Sequence, residues 1–420
     1  MRGTRSIGMT DDLKGCPMYP TLFRVPFLPD AWADVKSYGV MIMIGFLGGI
    51  WLATRRAQRV RADPEVVLNM GFIALLAGVA GARAMYVIHY WDSRFANQPS
   101  PLRAVFDIRA GGLEFWGGPL LVVPLLVLYL GWTKRSIRWY LDLTVPSLMF
   151  GLAMARIGCF LNGCCWGAVC LDPHDPARQK PALPWAVRFP YGSPAMVQQF
   201  EFGQLTVPKE LLCFLPAGQV IPLPREEVEA TRENLDGPAR DLRLLTDQLA
   251  ETERRGGDQR EKDKLRARIR VAEQRLRLNE QRFSRLRHNC ARYGLLPSDL
   301  QELATHHPSL PTHPAQLYAF ITGVLLYVLL HGLFYRRRRH GIVLGWFFIL
   351  YSIARLLEEA IRQDNPLDVG GLTISQAISI LMFAVGVVWL WIMQGQPIES
   401  PLAQPLPVAR KSEEAAAARA

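Results

Sequence analysis

The sequence predicts an all-α membrane protein: a seven-transmembrane helix bundle with an extracytoplasmic domain that carries an inserted helical hairpin. Three observations predict it. Half of the 420 residues are hydrophobic, and they gather into runs of about 20 residues, the length that crosses a bilayer core. The net charge of +11 comes largely from arginines crowded at the ends of those runs, a pattern of membrane topology rather than of nucleic-acid binding. One long block between the fourth and fifth runs is instead rich in Glu, Arg and Leu.

The first span covers residues 38–54 and is followed at once by Arg55, Arg56, Arg59 and Arg61. The second covers 68–89, with Arg83 inside it, and leads into a loop holding Arg94, Arg103 and Arg109. The third covers 113–130, and Lys134, Arg135 and Arg138 crowd the short loop after it. The fourth lies within 143–167, the fifth at 314–334, the sixth at 341–361 and the seventh at 374–391; Arg336, Arg337, Arg338 and Arg339 follow the fifth. The loops after spans one, three and five together hold 11 basic residues, which places them in the cytoplasm, the N-terminus outside and the C-terminus inside. The first 20 residues lack an apolar stretch of the signal-peptide kind, so the LKGC run at Cys16 reads as a chance match to a lipid-attachment site.

These limits divide the chain into membrane spans at 1–167, an extracytoplasmic insert at 168–312, further spans at 313–395 and a tail at 396–420 whose Pro- and Ala-rich composition reads as disordered. Within the insert, about 225–292 has a hairpin pattern. Leu242, Leu245 and Leu249 share a helical face, as do Leu265, Ile269, Leu276 and Phe283, with a break at Gly256 and Gly257. Its charges read as a solvated face.

Candidate chemistry is concentrated in two stretches. In 143–167, a nearly pure apolar helix ends in Arg156, Gly158, Cys159, Asn162, Gly163, Cys164, Cys165 and Gly167. An arginine near the apolar zone costs at least about 2.5 kcal/mol, so it faces an anion or a polar cavity, or snorkels to the surface. In the sixth span Tyr351, Arg355, Glu359 and Arg362 fall on one helical face, where Glu359 can hold Arg355 as a phosphate ligand. Both arginines lie toward the outer side, and their convergence would suit a phosphate or carboxylate, most simply a phospholipid head group. Two smaller features are the Gly-flanked aromatic run from Gly111 to Gly118 and His313 ahead of Pro314. The seven cysteines do not form a paired zinc pattern; packing or a structural disulfide involving Cys213 or Cys290 suits them, and thiol redox chemistry at Cys164, Cys165 and Cys170 is the rival.

Taken in order, SYGVMIMIGF, GARAMYVIHYW, GGLEFWGG, ARIGCFLNGCCWG, HPAQLYAF and ARLLEEAIRQD resemble the prolipoprotein diacylglyceryl transferase family of bacterial inner membranes. They cover about 200 residues, most of the membrane part; the hairpin lies outside the usual pattern. The resemblance implies transfer of a diacylglyceryl group from phosphatidylglycerol to the lipobox cysteine of a preprolipoprotein signal peptide, within the lipid bilayer and without metal, cofactor or nucleic acid. It makes Arg156 and Asn162 substrate-binding residues and Arg355 with Glu359 an essential pair. It places Tyr38 and Tyr351 near the pocket, and assigns Gly163, Gly167, Trp116, Gly117, Gly118 and Arg83 to the substrate-binding surface. The family motif usually resembles GRIGNFINGELWG, so Cys159 and Cys164 stand where Asn and Glu are usual. Trp116 stands where many members have His. An indole only donates, so a thiol proton would pass to another group, with Glu359, Tyr351 and His313 as candidates. A non-catalytic lipid- or peptide-binding relative is the remaining alternative.

Overall fold

The computed structural model describes residues 18, 20–24, 34–96, 98, 100–107, 111–174, 179–215, 218–230, 232–256, 258–362, 371–403 and 405–406. Cys16, Arg109, Gly257 and the last part of the tail lie outside the described residues. The long helices are α1 (Ser37–Arg59), α2 (Pro64–His89), α3 (Gly117–Trp132), α4 (Ile137–Asn162), α5 (Arg232–Arg254), α6 (Gln259–Arg282), α7 (Ala315–Arg336), α8 (Ile342–Ile361) and α9 (Ile374–Gln394). Sheet among the described residues is confined to two short antiparallel pairs, Thr21–Arg24 with Asp34–Lys36 and Leu212–Phe214 with Val220–Pro222. The protein is an all-α membrane protein: α1, α2, α4, α7 and α9 are each long and apolar enough to cross a bilayer. Helix α3 is apolar but only 16 residues long, and α8 has 20 residues but carries Arg355, Glu358 and Glu359 near its end.

The chain forms two compact units. One comprises residues 21–159 and 315–420, the other residues 1–20 and 160–314. In the first, glycines set how near the helices approach. A β-carbon on Gly45 of α1 would lie 2.9 Å from the Gly151 carbonyl oxygen of α4, and one on Gly323 of α7 would lie 3.0 Å from the Ala153 side chain. Small residues allow such approach where lipid gives no hydrophobic push between helices. Leu130, Leu143, Met149, Leu330, Phe334 and Val343 form the core that these contacts close around.

Charges inside this unit have protein partners. Asp142 of α4 is fully buried; its carboxylate accepts the backbone N–H groups of Gly341 (2.7 Å) and Leu344 (3.0 Å) and lies 3.2 Å from Arg337. It thereby caps α8, whose first turn has no other acceptor of its own sequence. Arg56 of α1 is 1% exposed and donates to the Leu143 carbonyl, to Ser147 Oγ (3.1 Å) and to His331 Nδ1 (2.9 Å), which binds α1 to α4 and α7.

The described start of the tail is not loose, contrary to the disorder expected from residue 396. His340 N–H donates to the Ile398 carbonyl (3.0 Å), Ser400 N–H to His340 Nδ1 (3.2 Å) and Leu406 N–H to the Arg61 carbonyl (2.7 Å). Arg138 and Arg339 reach the carbonyls of Pro397 and Gln396. Composition misleads here because backbone groups of the tail, rather than its side chains, make the bonds.

In the other unit α5 and α6 pack side by side. Leu265 and Phe283 are buried in the seam, with Leu242, Leu245, Leu249, Ile269 and Leu276 half-buried along it. A separate core of Met196, Leu211, Leu223, Val228, Leu286 and Leu300 fills its base. Two buried amides tie its segments together: Asn289 donates to the carbonyls of Glu210 and Leu212, and Gln199 Oε1 accepts Leu310 N–H at 2.8 Å.

Candidate functional site

Two arginines on different helices meet at one carboxylate. Arg156 stands in the last two turns of α4, and its Nη2 lies 4.0 Å from Glu358 Oε2 of α8. Arg355, one turn before Glu358 on α8, has its Nη1 3.5 Å from the same oxygen. Arg355 Nη2 lies 2.8 Å from Glu359 and donates to Ser375 Oγ of α9 at 3.1 Å. Glu359 in turn accepts a 2.9 Å hydrogen bond from Thr373 Oγ1. Thr373 is the N-cap of α9, with Gln376 completing a capping box, so the acceptor chain is rooted in the start of a helix. Four charged side chains are thus fixed by two helix ends and one cap.

The group opens on a cleft. Arg156, Tyr351, Glu358 and Thr322 give it polar groups; Met149, Leu152, Ala319, Gly323 and Leu326 line the rest. Arg156 is 20%, Glu358 14% and Arg355 12% exposed at the side chain, whereas Glu359 is closed off. A cleft mostly apolar along one side, with Arg156 and Glu358 at its polar end and Arg355 behind Glu358, suits an amphiphile with a polar, anionic head. Tyr351 stacks on Phe347, 5.6 Å between ring centres, which fixes it against the cleft. Tyr38 packs on Gly158, two residues beyond Arg156: a β-carbon there would sit 3.0 Å from the tyrosine ring.

The structure therefore brings together Arg156, Arg355, Glu359 and Tyr351, adds Glu358, and sets Tyr38 against Gly158 of the same helix as Arg156. Sequence reasoning passed over Glu358 because it looked for a partner four residues from Arg355. The i+3 carboxylate is chosen by the approach of α4, which no local spacing reveals.

Arg83 has a different task from the substrate contact expected of it. Its Nε donates to the Val105 carbonyl (2.8 Å), Nη1 to those of Gly111 and Gly112 (both 2.9 Å), and Nη2 to those of Ala104 (2.7 Å) and Asp107 (2.8 Å). All five N–H donors are spent on carbonyls, so Arg83 ties the 104–112 loop to α2. Gly111 and Gly112 have φ of +83° and +81°, a conformation that lets both carbonyls turn toward it. Gly117 and Gly81 press backbone against backbone, with no room for a side chain at either, so Gly117 serves helix packing. Gly118 is buried beside it. Trp116 is the half-buried residue at the start of α3, tilted against Phe115. Glu114, two residues before Trp116, lies 3.3 Å from His89 Nδ1 of α2.

Asn162, Gly163, Gly167 and His313 belong to the other unit. Asn162 ends α4, and Gly163 turns the chain at φ +71° with Met18 packed on it. Gly167 and His313 are joined through backbone: Gly167 N–H donates to the His313 carbonyl and His313 N–H to that of Ala168, both at 3.0 Å. Cys170, Cys213 and Cys290 are thiols rather than a disulfide. Burial pushes the Cys213 thiol up to about 11, and also raises that of Cys290, which makes both poor nucleophiles.

A family profile described as prolipoprotein diacylglyceryl transferase matches residues 26–392. The chain belongs to the prolipoprotein diacylglyceryl transferase family. It is 26% identical over 379 residues to the phosphatidylglycerol–prolipoprotein diacylglyceryl transferase of Proteus mirabilis, covering 88% of this chain and 90% of that one. The protein of the same name from Photorhabdus laumondii is 27% identical over 392 residues, 90% of this chain and 95% of its own. That from Vibrio cholerae is 36% identical over 177 residues, 42% of this chain and 58% of its own. The profile match extends across both halves of the membrane unit and the hairpin between them.

Proposed function

We propose that this chain transfers the diacylglyceryl group of phosphatidylglycerol to the lipobox cysteine thiol of preprolipoproteins in the bacterial inner membrane. The observation that carries the reading is the meeting of Arg156 and Arg355 at Glu358, beside a cleft that Arg156 and Glu358 line together with Met149, Leu152 and Leu326. In the reaction the sulfur attacks the glyceryl carbon that bears the phosphate. The carbon–oxygen bond breaks, the electron pair stays on the leaving glycerol phosphate, and the thiol proton is lost to a base or to water. Negative charge grows on the departing phosphate, where two guanidiniums in a poorly hydrated cleft stabilise it. Glu359 and Ser375 hold Arg355 in place, and Tyr351 borders the reacting region. Both substrates are held in one bilayer, which reduces the entropy lost in meeting. Trp116 offers no acceptor for the thiol proton, and of the candidates named for that part Tyr351 is the one that lines the cleft.

The topology we infer has seven crossings, with α3 and α8 completing the five longer spans. The N-terminus is extracytoplasmic and the C-terminus cytoplasmic, and the insert of 168–312 faces outside. Supporting it, the tail is bonded to Arg61, Arg138, Arg339 and His340, which lie after α1, α3 and α7, so those loops share one side of the membrane unit. Arg156 and Arg355 stand toward the opposite ends of their helices.

The test is an in vitro assay with labelled phosphatidylglycerol and a lipobox peptide. The wild-type chain transfers label to the peptide thiol, and Arg156→Ala abolishes transfer while remaining membrane-inserted. Wild-type-like transfer by that variant, or label passing to no thiol in the wild type, would overturn the reading.

A further inference from the structure

We propose that Glu358 is a built-in counter-anion that expels the glycerol phosphate product, a positioning residue acting through the two arginines. The inference rests on the proposed transfer reaction. Glu358 Oε2 is within 4.0 Å of Arg156 and 3.5 Å of Arg355, and it lines the cleft rather than lying behind it. It therefore occupies the place between two guanidiniums that a phosphate oxygen would take. Glu359 cannot play this part: it is closed off and held by Arg355 and Thr373.

The charges decide what such a carboxylate does. In the empty cleft the two arginines and two glutamates cancel formally. The substrate is a phosphodiester with one negative charge. Transfer converts it to a phosphomonoester, whose second ionisation lies near pH 6, so at neutral pH the product has gained charge. Two arginines alone would hold that product more tightly than the substrate, an arrangement that stabilises the transition state but slows release. A carboxylate at hand reverses this. It returns to the guanidiniums as the phosphate leaves and opposes the second product charge at close range, where Coulomb energies in a poorly hydrated cleft are large. The carboxylate also keeps the two arginines from repelling each other between turnovers, so the pair remains aimed at the cleft.

The test measures product inhibition by glycerol phosphate in the transfer assay, using the full-length protein in lipid nanodiscs. For Glu358→Gln the inhibition constant is expected to fall at least fivefold. Steady-state kcat should fall at least fivefold further than the single-turnover transfer rate; Glu358→Asp restores kcat. A purely structural role would lower single-turnover and steady-state rates together and leave the inhibition constant alone. An inhibition constant unchanged in Glu358→Gln overturns the inference. A second measurement needs only the wild type. At one neutral pH, glycerol phosphate should inhibit no better than its singly charged O-methyl ester. Tenfold stronger inhibition by the doubly charged compound overturns the inference even if the Gln variant does not fold. Loss of transfer in the wild type would refute the reaction instead, so the two failures are distinguishable.

Discussion

The membrane unit holds two clusters of charge at opposite ends of α4, and they are built on different plans. Near its start, Asp142 is sealed from solvent, caps two backbone N–H groups of α8 and pairs with Arg337, whose side chain is 7% exposed. Arg56, close by, donates from Nη1 and Nη2 to a carbonyl, a hydroxyl and an imidazole. Near the other end, Arg156, Arg355 and Glu358 retain 12–20% exposure, and Arg156 and Glu358 border the cleft. Residues 142 and 156 are about 21 Å apart along the axis at the usual helical rise. Charge alone therefore does not mark a site in a membrane helix. What separates the clusters is whether protein groups have used up the charge or left it facing a cleft.

Substitutions should divide along the same line. The largest effect belongs to the sealed end. Asp142→Ala leaves Arg337 buried without its anion and α8 without its cap, a loss of about 3–5 kcal/mol. Thermal unfolding in detergent should show it as a sharply lowered midpoint, while the fraction that folds keeps wild-type specific transfer. At the open end, Arg355→Lys keeps the charge but loses the fork that serves Glu358, Glu359 and Ser375 at once. Transfer should fall by about a hundredfold with little change in the unfolding midpoint. Equal loss of stability in both variants would erase the distinction between the ends.

Thr373→Val removes the hydroxyl that donates to Glu359 and caps α9, costing about 1 kcal/mol and a few-fold in transfer rate. A variant with full activity would show that Glu359 needs no support. The smallest effect concerns pH at the tail. Burial, then Arg337 and Arg138, push His340 down to about 4 from its ordinary value near 6.5. Its neutral form is the one that accepts Ser400 N–H. Folding therefore disfavours the proton: the stabilisation is complete above about pH 6.5 and is lost as pH falls toward 4. Limited proteolysis of the tail should quicken across that window, and His340→Gln should flatten the dependence.

How far the site could be read from sequence varied with the range of the interaction. Arg355 and Glu359 were legible because a helix places residues four apart on one face, and that pairing survives in the fold. Arg156 stood out as a charge in an apolar run. Glu358 was hidden, since its importance depends on α4 arriving beside α8. Arg83 was misleading for the same reason: the five carbonyls that satisfy it come from a loop more than 20 residues away. The all-α membrane class was plain in the length of the apolar runs, five of which are helices that meet the length and hydropathy of a span. The ordered start of the tail was not, because a Pro-rich composition hides the backbone groups that bind it.

The central claim is that Arg156 and Arg355 hold one phosphate. A double-mutant cycle in kcat/KM for phosphatidylglycerol, using Arg156→Lys and Arg355→Lys, tests it most directly. If one phosphate bridges both, the double variant loses little more than the worse single variant. Losses that multiply, each arginine contributing independently, would contradict the account.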